Sequence, residues 1–454
     1  MEIVIIAIFI LGYLGIAFEH SIKVDKLIPA LAMMAILWAL IAVNHMDVFE
    51  IIPGIGKESH HVEGVLLHHL GKTAEILFFL MGAMTIVEII DYFDGFSTIK
   101  TFIKTKSKTR LLWLFTTLAF VLSAIIDNLT ATIVLITILQ KIIKDKEIRL
   151  WFAGLIVIAA NAGGAWSPIG DVTTTMLWIA NKVTPASLIA HVLLPSIACY
   201  AIPSFIASRM KIFKGQIDGE LKEEELKSKH GATMFYLGLG GILFVPIFKT
   251  VTHLPPYVGM MLSLAVISAV AEYLSNNEFT IAGATSGHGV NEPQHSPVHK
   301  SLSKIEMPSI LFFLGILMAV AALESLGMLY EFAGVLEKGV PMLGTEHGTT
   351  TLSDLVVILL GAGSAVIDNV PLVAASIGMF SMGLDAPEWH FIAYSAGTGG
   401  SILVIGSAAG VVAMGMEKID FFWYLKKIGG LALIGFLAGS AVFIILRDFL
   451  LNAH

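Results

Sequence analysis

The chain has 454 residues, of which 56% are hydrophobic and 14% are charged, and its formal net charge is −7. Soluble domains carry roughly 25% charged residues, so this composition and a mean hydropathy of +0.82 exclude an ordinary soluble protein and predict a polytopic helical membrane protein. The apolar runs are continuous rather than alternating, which excludes a lipid-facing β-barrel, and the single cysteine, Cys199, excludes an internal disulfide.

The apolar runs predict ten membrane spans and two shorter excursions. In chain order the predicted spans are 3–18, 27–43, 73–93, 150–180, 186–207, 233–248, 257–274, 308–326, 388–415 and 428–447. Two further apolar segments, 111–140 and 352–381, contain the similar motifs "SAIIDN" and "SAVIDN". An Asp-Asn pair in such a segment needs a reason, because a charged side chain is costly at bilayer depth.

Basic loops set the orientation of these segments. Clusters of Lys and Arg lie in loops 91–110, 141–149 and 208–231, and the positive-inside rule places all three in the cytoplasm. Segment 111–140 therefore enters and leaves on one side, and it is too short for two crossings of roughly 20 residues each. It is predicted to be a re-entrant hairpin, and 352–381 is predicted to be a second hairpin that enters from outside. Both termini are then expected outside a cytoplasmic (inner) membrane.

Three motifs recur in the same order and predict an internal repeat. They are "ILFFL" at 76–80 and 310–314, the Asp-Asn motifs at 123–128 and 364–369, and "GGAWSPIGD" at 163–171 with "GGSILVIGS" at 399–407. Each half then contains three spans, a hairpin and two spans, so the halves have inverted topology, as in many secondary transporters. The predicted limits are 1–207 for the first repeat, 208–232 for a cytoplasmic linker and 233–454 for the second repeat.

The hairpin tips and two broken helices, within 150–180 and 388–415, predict a central ion site. The candidate ion-binding residues are Asp127, Asn128, Thr130, Asn161, Gly163, Gly164, Ser167, Pro168, Asp171, Thr173, Asp368, Asn369, Thr398, Gly399, Ser401 and Ser407. Carboxylate, amide, hydroxyl and backbone oxygens suit a small hard cation and repel an anion. The competing interpretation is that each Asp only caps the N-terminus of a half-helix.

The three carboxylates, Asp127, Asp171 and Asp368, indicate a function for this site. A buried carboxylate can hold a proton or a cation such as Na⁺ but not both, and exclusive occupancy with alternating access is sufficient for antiport. The expected partners are therefore Na⁺ or Li⁺, protons and the lipid bilayer. No cofactor and no nucleic-acid partner are expected, and no phosphate-binding loop follows a strand.

The sequence resembles the NhaD-type sodium/proton antiporters of the ion transporter superfamily. The resemblance covers the whole chain and is carried by "FEHSIKVDK" at 18–26, "SAIIDNLTAT" at 123–132, "NAGGAWSPIGDVTTTMLW" at 161–178, "SAVIDNVPLVAA" at 364–375 and "AGTGGSILVIGSAAG" at 396–410. It implies a homodimer in which scaffold helices form the interface and a mobile transport core moves in an elevator-like manner. Related dicarboxylate carriers have Ser-Asn-Thr at the hairpin tips, and the Asp-Asn pairs here favour a cation.

Other interpretations stay open at this point. The second hypothesis is an exporter or symporter of a small oxyacid or arsenite-like solute, and the third is an intramembrane aspartyl protease. Glu88 and Glu324 are candidates for proton relay or for interfacial residues that reach into water. The histidine-rich segment 44–72 is either a pH-sensing or metal-binding loop, or a solvated outer loop or interfacial helix.

Overall fold

The computed structural model describes residues 1–17, 19–52, 56–217, 230–285, 296–329, 352–366, 369–380 and 382–451. Its α-helices are α1 (Glu2–Ala17), α2 (Glu19–Ile22), α3 (Leu27–Val43), α4 (Val62–Tyr92), α5 (Lys108–Ile126), α6 (Asn128–Ile142), α7 (Lys146–Ala165), α8 (Val172–Ile179), α9 (Pro185–Arg209), α10 (Gly231–Thr252), α11 (Pro256–Thr285), α12 (Pro297–Lys304), α13 (Met307–Ser325), α14 (Asp354–Gly363), α15 (Asn369–Met379), α16 (Pro387–Gly399), α17 (Ala408–Glu417), α18 (Phe421–Tyr424) and α19 (Gly430–Leu446). Shorter elements are 3₁₀ turns at Gly95–Phe102 and Lys211–Phe213, π-helical turns at Leu425–Gly429 and Arg447–Leu451, and strands β1 (Val48–Ile52) and β2 (Gly56–His60).

The polytopic helical membrane architecture is confirmed. Within the described residues, eight helices are long and apolar enough to cross a membrane. Helix α7 is the most enclosed of the eight: 89% of its apolar 18-residue stretch is buried. The corresponding stretches of α9, α10 and α11 are only 28–33% buried. Such exposed apolar helices suit a surface that faces lipid, and α7 suits the centre of the bundle. Around it, α5 packs on α7, α9 on α19, and α3 on α13.

Two local features differ from the sequence prediction. Strands β1 and β2 form an antiparallel hairpin that pairs Val48 with His60, within the segment predicted as a loop or interfacial helix. Helix α4 begins at Val62 instead of residue 73, so His68 and His69 lie on a helix. The described parts of the histidine-rich segment therefore contain a strand pair and the start of a helix.

Both hairpins consist of two helical arms, as far as they are described. The first hairpin is α5 and α6, interrupted at Asp127, and the second contains α14 and α15. The spans predicted to be broken are also interrupted, between α7 and α8 and between α16 and α17. Asp368 and linker residues 218–229 lie outside the described residues.

Each hairpin contacts the broken helix of its own half in the same way. Ser123 donates from Oγ to the carbonyl oxygen of Ala160 at 2.5 Å, and Ser364 donates to that of Ala396 at 3.0 Å. Both pairs join the end of the first hairpin arm to the helix that precedes the break. The correspondence agrees with an internal repeat, while the inverted orientation and the domain limits stay predictions.

Glycines make this close approach possible. A Cβ atom on Gly163 would overlap the carbonyl oxygen of Phe120, and one on Gly399 would overlap the carbonyl oxygen of Gly361. The backbone of each hairpin arm therefore rests directly on the broken helix, because no side chain separates them. This contact fixes the depth at which each hairpin tip meets the break.

We expect Gly163→Ala to lower the melting temperature of the purified protein. The added methyl group has no space, and overpacking of this kind costs about 1–3 kcal/mol. Gly240→Ala in α10 is the matched control, because its Cβ would meet nothing within 4 Å. It should leave stability unchanged or raise it by up to about 1 kcal/mol, since alanine favours helices. Equal melting temperatures for the two variants, measured in detergent, would contradict the close packing.

Candidate cation site

Each broken helix resumes with a side-chain cap. Asp171 precedes α8 in an extended conformation (φ −147°, ψ 150°), and its Oδ1 accepts a hydrogen bond from the backbone N–H of Thr173 at 3.1 Å. Ser407 precedes α17 in nearly the same conformation (φ −148°, ψ 152°), and its Oγ accepts from the N–H of Gly410 at 3.2 Å. Each cap satisfies an N–H group that the helix leaves unpaired. The two breaks share one geometry, but one has a carboxylate where the other has a neutral hydroxyl.

The Asp171 carboxylate joins the two hairpin tips. Its Oδ2 accepts hydrogen bonds from Nδ2 of Asn128 at 3.2 Å and from Nδ2 of Asn369 at 3.1 Å. Asn128 begins α6, the second arm of the first hairpin, and Asn369 begins α15, the second arm of the second hairpin. Asp171 is only 3% exposed, so these donors replace water around its charge. One buried oxygen atom thus links three segments that are far apart in the sequence.

Asn161 extends this network to the second break. It is fully buried in α7, its Oδ1 accepts from Nδ2 of Asn128 at 3.0 Å, and its Nδ2 donates to Oγ of Ser407 at 2.9 Å. A continuous chain of polar contacts therefore runs from Asp171 through Asn128 and Asn161 to Ser407. All of these residues were predicted from the sequence to belong to one site, and the structure brings them together. Their role in ion binding stays a prediction.

Four helix N-termini converge on this network. Asn128 and Asn369 begin α6 and α15, while Asp171 and Ser407 cap α8 and α17. Each helix N-terminus carries a partial positive charge of about half an elementary charge and attracts anions. Here the carboxylate of Asp171 supplies the negative charge. It already uses the amide N–H donors that an incoming oxyanion would need.

Asp127 has a different environment from Asp171. It caps α6: its Oδ1 accepts from the N–H of Thr130 at 2.8 Å, and its Oδ2 accepts from Oγ1 of Thr130 at 3.0 Å. The capping interpretation considered for the sequence therefore describes these contacts of Asp127 well. Its backbone, however, has φ 86° and ψ 160°, a region that glycine adopts and other residues rarely do. A turn alone would favour glycine at this position. An aspartate on this strained backbone therefore points to a use for its side chain beyond shaping the tip.

Three predicted hydroxyl groups serve main-chain contacts near the breaks. Oγ of Ser167 accepts from the N–H of Ile169 at 3.4 Å. Oγ1 of Thr398 donates to the carbonyl oxygen of Tyr394 at 2.6 Å, and Oγ of Ser401 donates to that of Thr398 at 2.5 Å. In this conformation these hydroxyls stabilise the irregular backbone. An ion could be coordinated only by the oxygen lone pairs that these contacts leave unused.

Thr173 has a side-chain hydroxyl that is available to a ligand. Its side chain is fully buried beside Asp171, yet its Oγ1 has no hydrogen-bond partner among the described residues. An unpaired buried hydroxyl costs free energy, and ion coordination would satisfy it.

The remaining predicted residues shape the break: the carbonyl oxygen of Pro168 accepts from Oγ1 of Thr175 at 3.0 Å, and a Cβ on Gly164 would lie 2.6 Å from the carbonyl oxygen of Gly170.

Comparisons with known proteins show the family to which the chain belongs. The citrate transporter family model, CitMHS, matches residues 7–397. Sodium/proton antiporter 1 of Arabidopsis thaliana is 40% identical over 98% of this chain and 73% of its own length, and the Na(+)/H(+) antiporter NhaD of Alkalimonas amylolytica is 30% identical over 97% of this chain and 89% of its own length. The chain belongs to the NhaD-type sodium/proton antiporter family. Among solved structures, the YdaH transporter of Alcanivorax borkumensis has a TM-score of 0.47 at 11% identity, over 93% of this chain and 97% of that one.

Some residues of this NhaD-type site were not singled out from the sequence. Ser123 and Ser364 hold the hairpins to the broken helices, and the signal for them was their presence at the start of both repeated motifs. Thr132 in α6 is fully buried, and its hydroxyl has no hydrogen-bond partner in the part of the chain that the structure describes. Nothing in the local sequence distinguishes Thr132 from an ordinary core threonine.

A cavity of about 680 Å³ lies between α4, α8, α10, α13 and α15. Its titratable lining residues are His69, Lys72, Glu75, Lys182, Lys249, His253 and Glu324. Burial lowers the pKa of Lys182, because loss of water disfavours the ammonium form, and the charge of Glu324 acts in the opposite direction. The lining comes from helix ends predicted to face outside, which makes the cavity a candidate outer vestibule. Of the two glutamates considered for proton relay, Glu324 lines this cavity, and Glu88 is not among its described lining residues.

We expect Asp127→Ala to destabilise the protein more than Asp127→Gly. Both substitutions remove the cap on α6, but only alanine keeps the strained backbone, which costs about 1–3 kcal/mol. Loss of a cap costs about 0.5–2 kcal/mol with alanine and a few tenths with glycine. Thermal unfolding in detergent measures the difference. If the glycine variant were as unstable as the alanine variant, the tip would not hold the conformation described here.

Proposed function

We propose that the chain is a secondary active Na⁺/H⁺ antiporter, which also accepts Li⁺, and that the transported cation and the proton compete for Asp171. The observation that carries this proposal is the buried Asp171 carboxylate, which receives amide groups from both hairpin tips. The names and high coverage of the relatives, sodium/proton antiporters, support the same activity.

The contacts of Asp171 suggest how exchange operates. In the arrangement described here, the N–H groups of Asn128, Asn369 and Thr173 stabilise the charge of the carboxylate. A cation would take their place, with the two amides turned so that each Oδ1 faces it and with the free hydroxyl of Thr173 as a further oxygen. A proton would instead bind the carboxylate and remove its charge. Because one group accepts either ion, release of one follows binding of the other.

Several wider features belong to the same proposal. The protein is a homodimer in a cytoplasmic membrane, with both termini outside and an elevator-like transport core. The repeats span 1–207 and 233–454, separated by a linker at 208–232. Asp127 and its motif counterpart Asp368 contribute negative charge at the hairpin tips. The internal repeat contacts, the strained tip and the family membership support these assignments.

A second candidate is transport of a small oxyacid or arsenite-like solute. The four converging helix N-termini and the match to the citrate transporter family model favour it. The occupied donors around Asp171 count against it, since an oxyanion would have to displace the carboxylate. A solute-dependent flux in proteoliposomes that is insensitive to Na⁺ would support this candidate. An intramembrane aspartyl protease needs two carboxylates on one water, and the described contacts of Asp127 and Asp171 use separate donors.

We expect Asp171→Asn to abolish exchange by the purified protein in proteoliposomes. The amide has no charge to hold a cation and takes up no proton in exchange for one, so neither half of the exchange cycle remains. Asp145→Asn is the matched control, because Asp145 also caps a helix, with Oδ1 accepting from the N–H of Ile148 at 3.2 Å. Collapse of an imposed pH gradient on addition of Na⁺ or Li⁺ is the readout. Exchange by Asp171→Asn at the wild-type rate would refute the site.

Competition for one carboxylate also predicts a dependence on pH. Where the carboxylate is mostly protonated, each unit of pH increase should lower the half-saturating Na⁺ concentration about tenfold, because one proton must leave for each cation bound. At higher pH, where the carboxylate is ionised, the dependence should level off. Initial rates at several Na⁺ concentrations and pH values measure this. A half-saturating concentration that does not change with pH would show that the two ions bind to different groups.

A further inference from the structure

A basic surface lies where α5 begins and α9 ends. We call it the basic platform and define it as residues 103–110 and 209–217. Its cationic side chains are Lys104, Lys106, Lys108, Arg110, Arg209, Lys211 and Lys214. Lys108 is partly buried and the other six are exposed. The two segments are about a hundred positions apart in the sequence, so their meeting is a property of the fold.

Backbone hydrogen bonds hold the two segments together. Lys108 N donates to the carbonyl oxygen of Gly215 at 3.1 Å, and Ile217 N donates to that of Lys106 at 2.9 Å. Ser107 and Gln216 form an antiparallel bridge between them. The charges are therefore presented on a preformed surface, and little conformational entropy is lost when a ligand binds there.

The platform contains no acidic residue. Neither 103–110 nor 209–217 includes Asp or Glu. The other basic loop on the same predicted side, 141–149, includes Asp145 and Glu147, and its Arg149 is paired with Glu417 at 3.0 Å. Positive charge on the platform is thus uncompensated within its own segments, whereas the charge of the neighbouring loop is partly neutralised.

The position of the platform suits a membrane surface. Helices α5 and α9 are both apolar enough to span, and the platform caps one end of each. Phe102 and Phe205 are half-exposed beside it, and the guanidinium group of Arg209 lies 4.6 Å from the ring centroid of Phe205. Aromatic rings and basic side chains at the ends of spans are typical of the zone of lipid headgroups.

We propose that the basic platform binds anionic phospholipid headgroups of the cytoplasmic leaflet. Clusters of Lys and Arg directly beside a span attract such lipids, because the leaflet surface is negatively charged. The platform joins the base of the first hairpin to α9, so a bound headgroup would brace the hairpin whose tip carries Asp127 and Asn128. The site is separate from the ion site and does not depend on the proposed antiport.

The test compares lipid retention by two charge-matched variants. In the first, Lys104, Lys106, Lys211 and Lys214 of the platform are changed to Gln. In the control, Lys141, Lys144, Lys146 and Lys427 are changed to Gln. All eight side chains are exposed, so both variants are expected to fold. Each full-length protein is purified with equal amounts of phosphatidylglycerol and phosphatidylcholine, and native mass spectrometry measures the ratio of the two lipids retained.

We expect the platform variant to lose its preference for phosphatidylglycerol at least about tenfold and the control to keep most of it. In the unaltered protein, about 1 M salt should also weaken the preference, because the Debye length is then about 3 Å. Equal loss in both variants would mean that basic loops attract anionic lipid without a specific surface, and would overturn the proposal. No loss in the platform variant would also overturn it. If the fourfold variant fails to fold, the double variant Lys104→Gln/Lys106→Gln is compared in the same way with Lys141→Gln/Lys144→Gln, whose side chains are also exposed.

Discussion

A buried carboxylate is the constraint on which the central site depends. An ionised carboxylate out of contact with water is costly unless hydrogen-bond donors surround it. Asp171 receives such donors from Thr173 beside it and from Asn128 and Asn369 on the two hairpins. Both hairpin tips have to reach one oxygen atom, so the packing of each hairpin on its broken helix determines whether the charge is tolerated. Gly163 and Gly399 permit that packing, and the proposed ion site and the fold therefore depend on the same contacts.

The site combines a repeated framework with an unequal set of side chains. The two breaks have the same cap geometry, and the same Ser-to-carbonyl contacts hold both hairpins. Yet Asp171 is charged and Ser407 is not, so only one of the two matched caps is a carboxylate. Asn161 contacts Ser407 directly and is linked to Asp171 through Asn128. The matched breaks thus position the site, and the difference between Asp171 and Ser407 makes its charge unequal.

Sequence patterns predicted the framework better than the pairing of side chains. Polar and glycine-rich motifs inside apolar runs identified both hairpins and both breaks, because such residues disrupt a span wherever they occur. They did not reveal that Asn128 contacts Asp171 while the adjacent Asp127 turns to Thr130, since neighbours at a tip point in different directions. The hairpin of β1 and β2 and the early start of α4 were missed for a related reason. Outside the bilayer, apolar runs no longer mark the ends of an element.

The adjacency of Asp127 and Asn128 links strain at the hairpin tip to occupancy of the site. Asp127 holds a backbone conformation that costs about 1–3 kcal/mol, and the next residue donates to the carboxylate of Asp171. A hydrogen bond to a charged group contributes about 1.5–3 kcal/mol, which is of the same size. In the proposed exchange, a cation or proton that replaced the donor of Asn128 would remove the contact that helps to hold the strained tip. Relaxation of Asp127 would then offset part of that loss, and the two states of the tip would differ little in free energy, as repeated exchange requires.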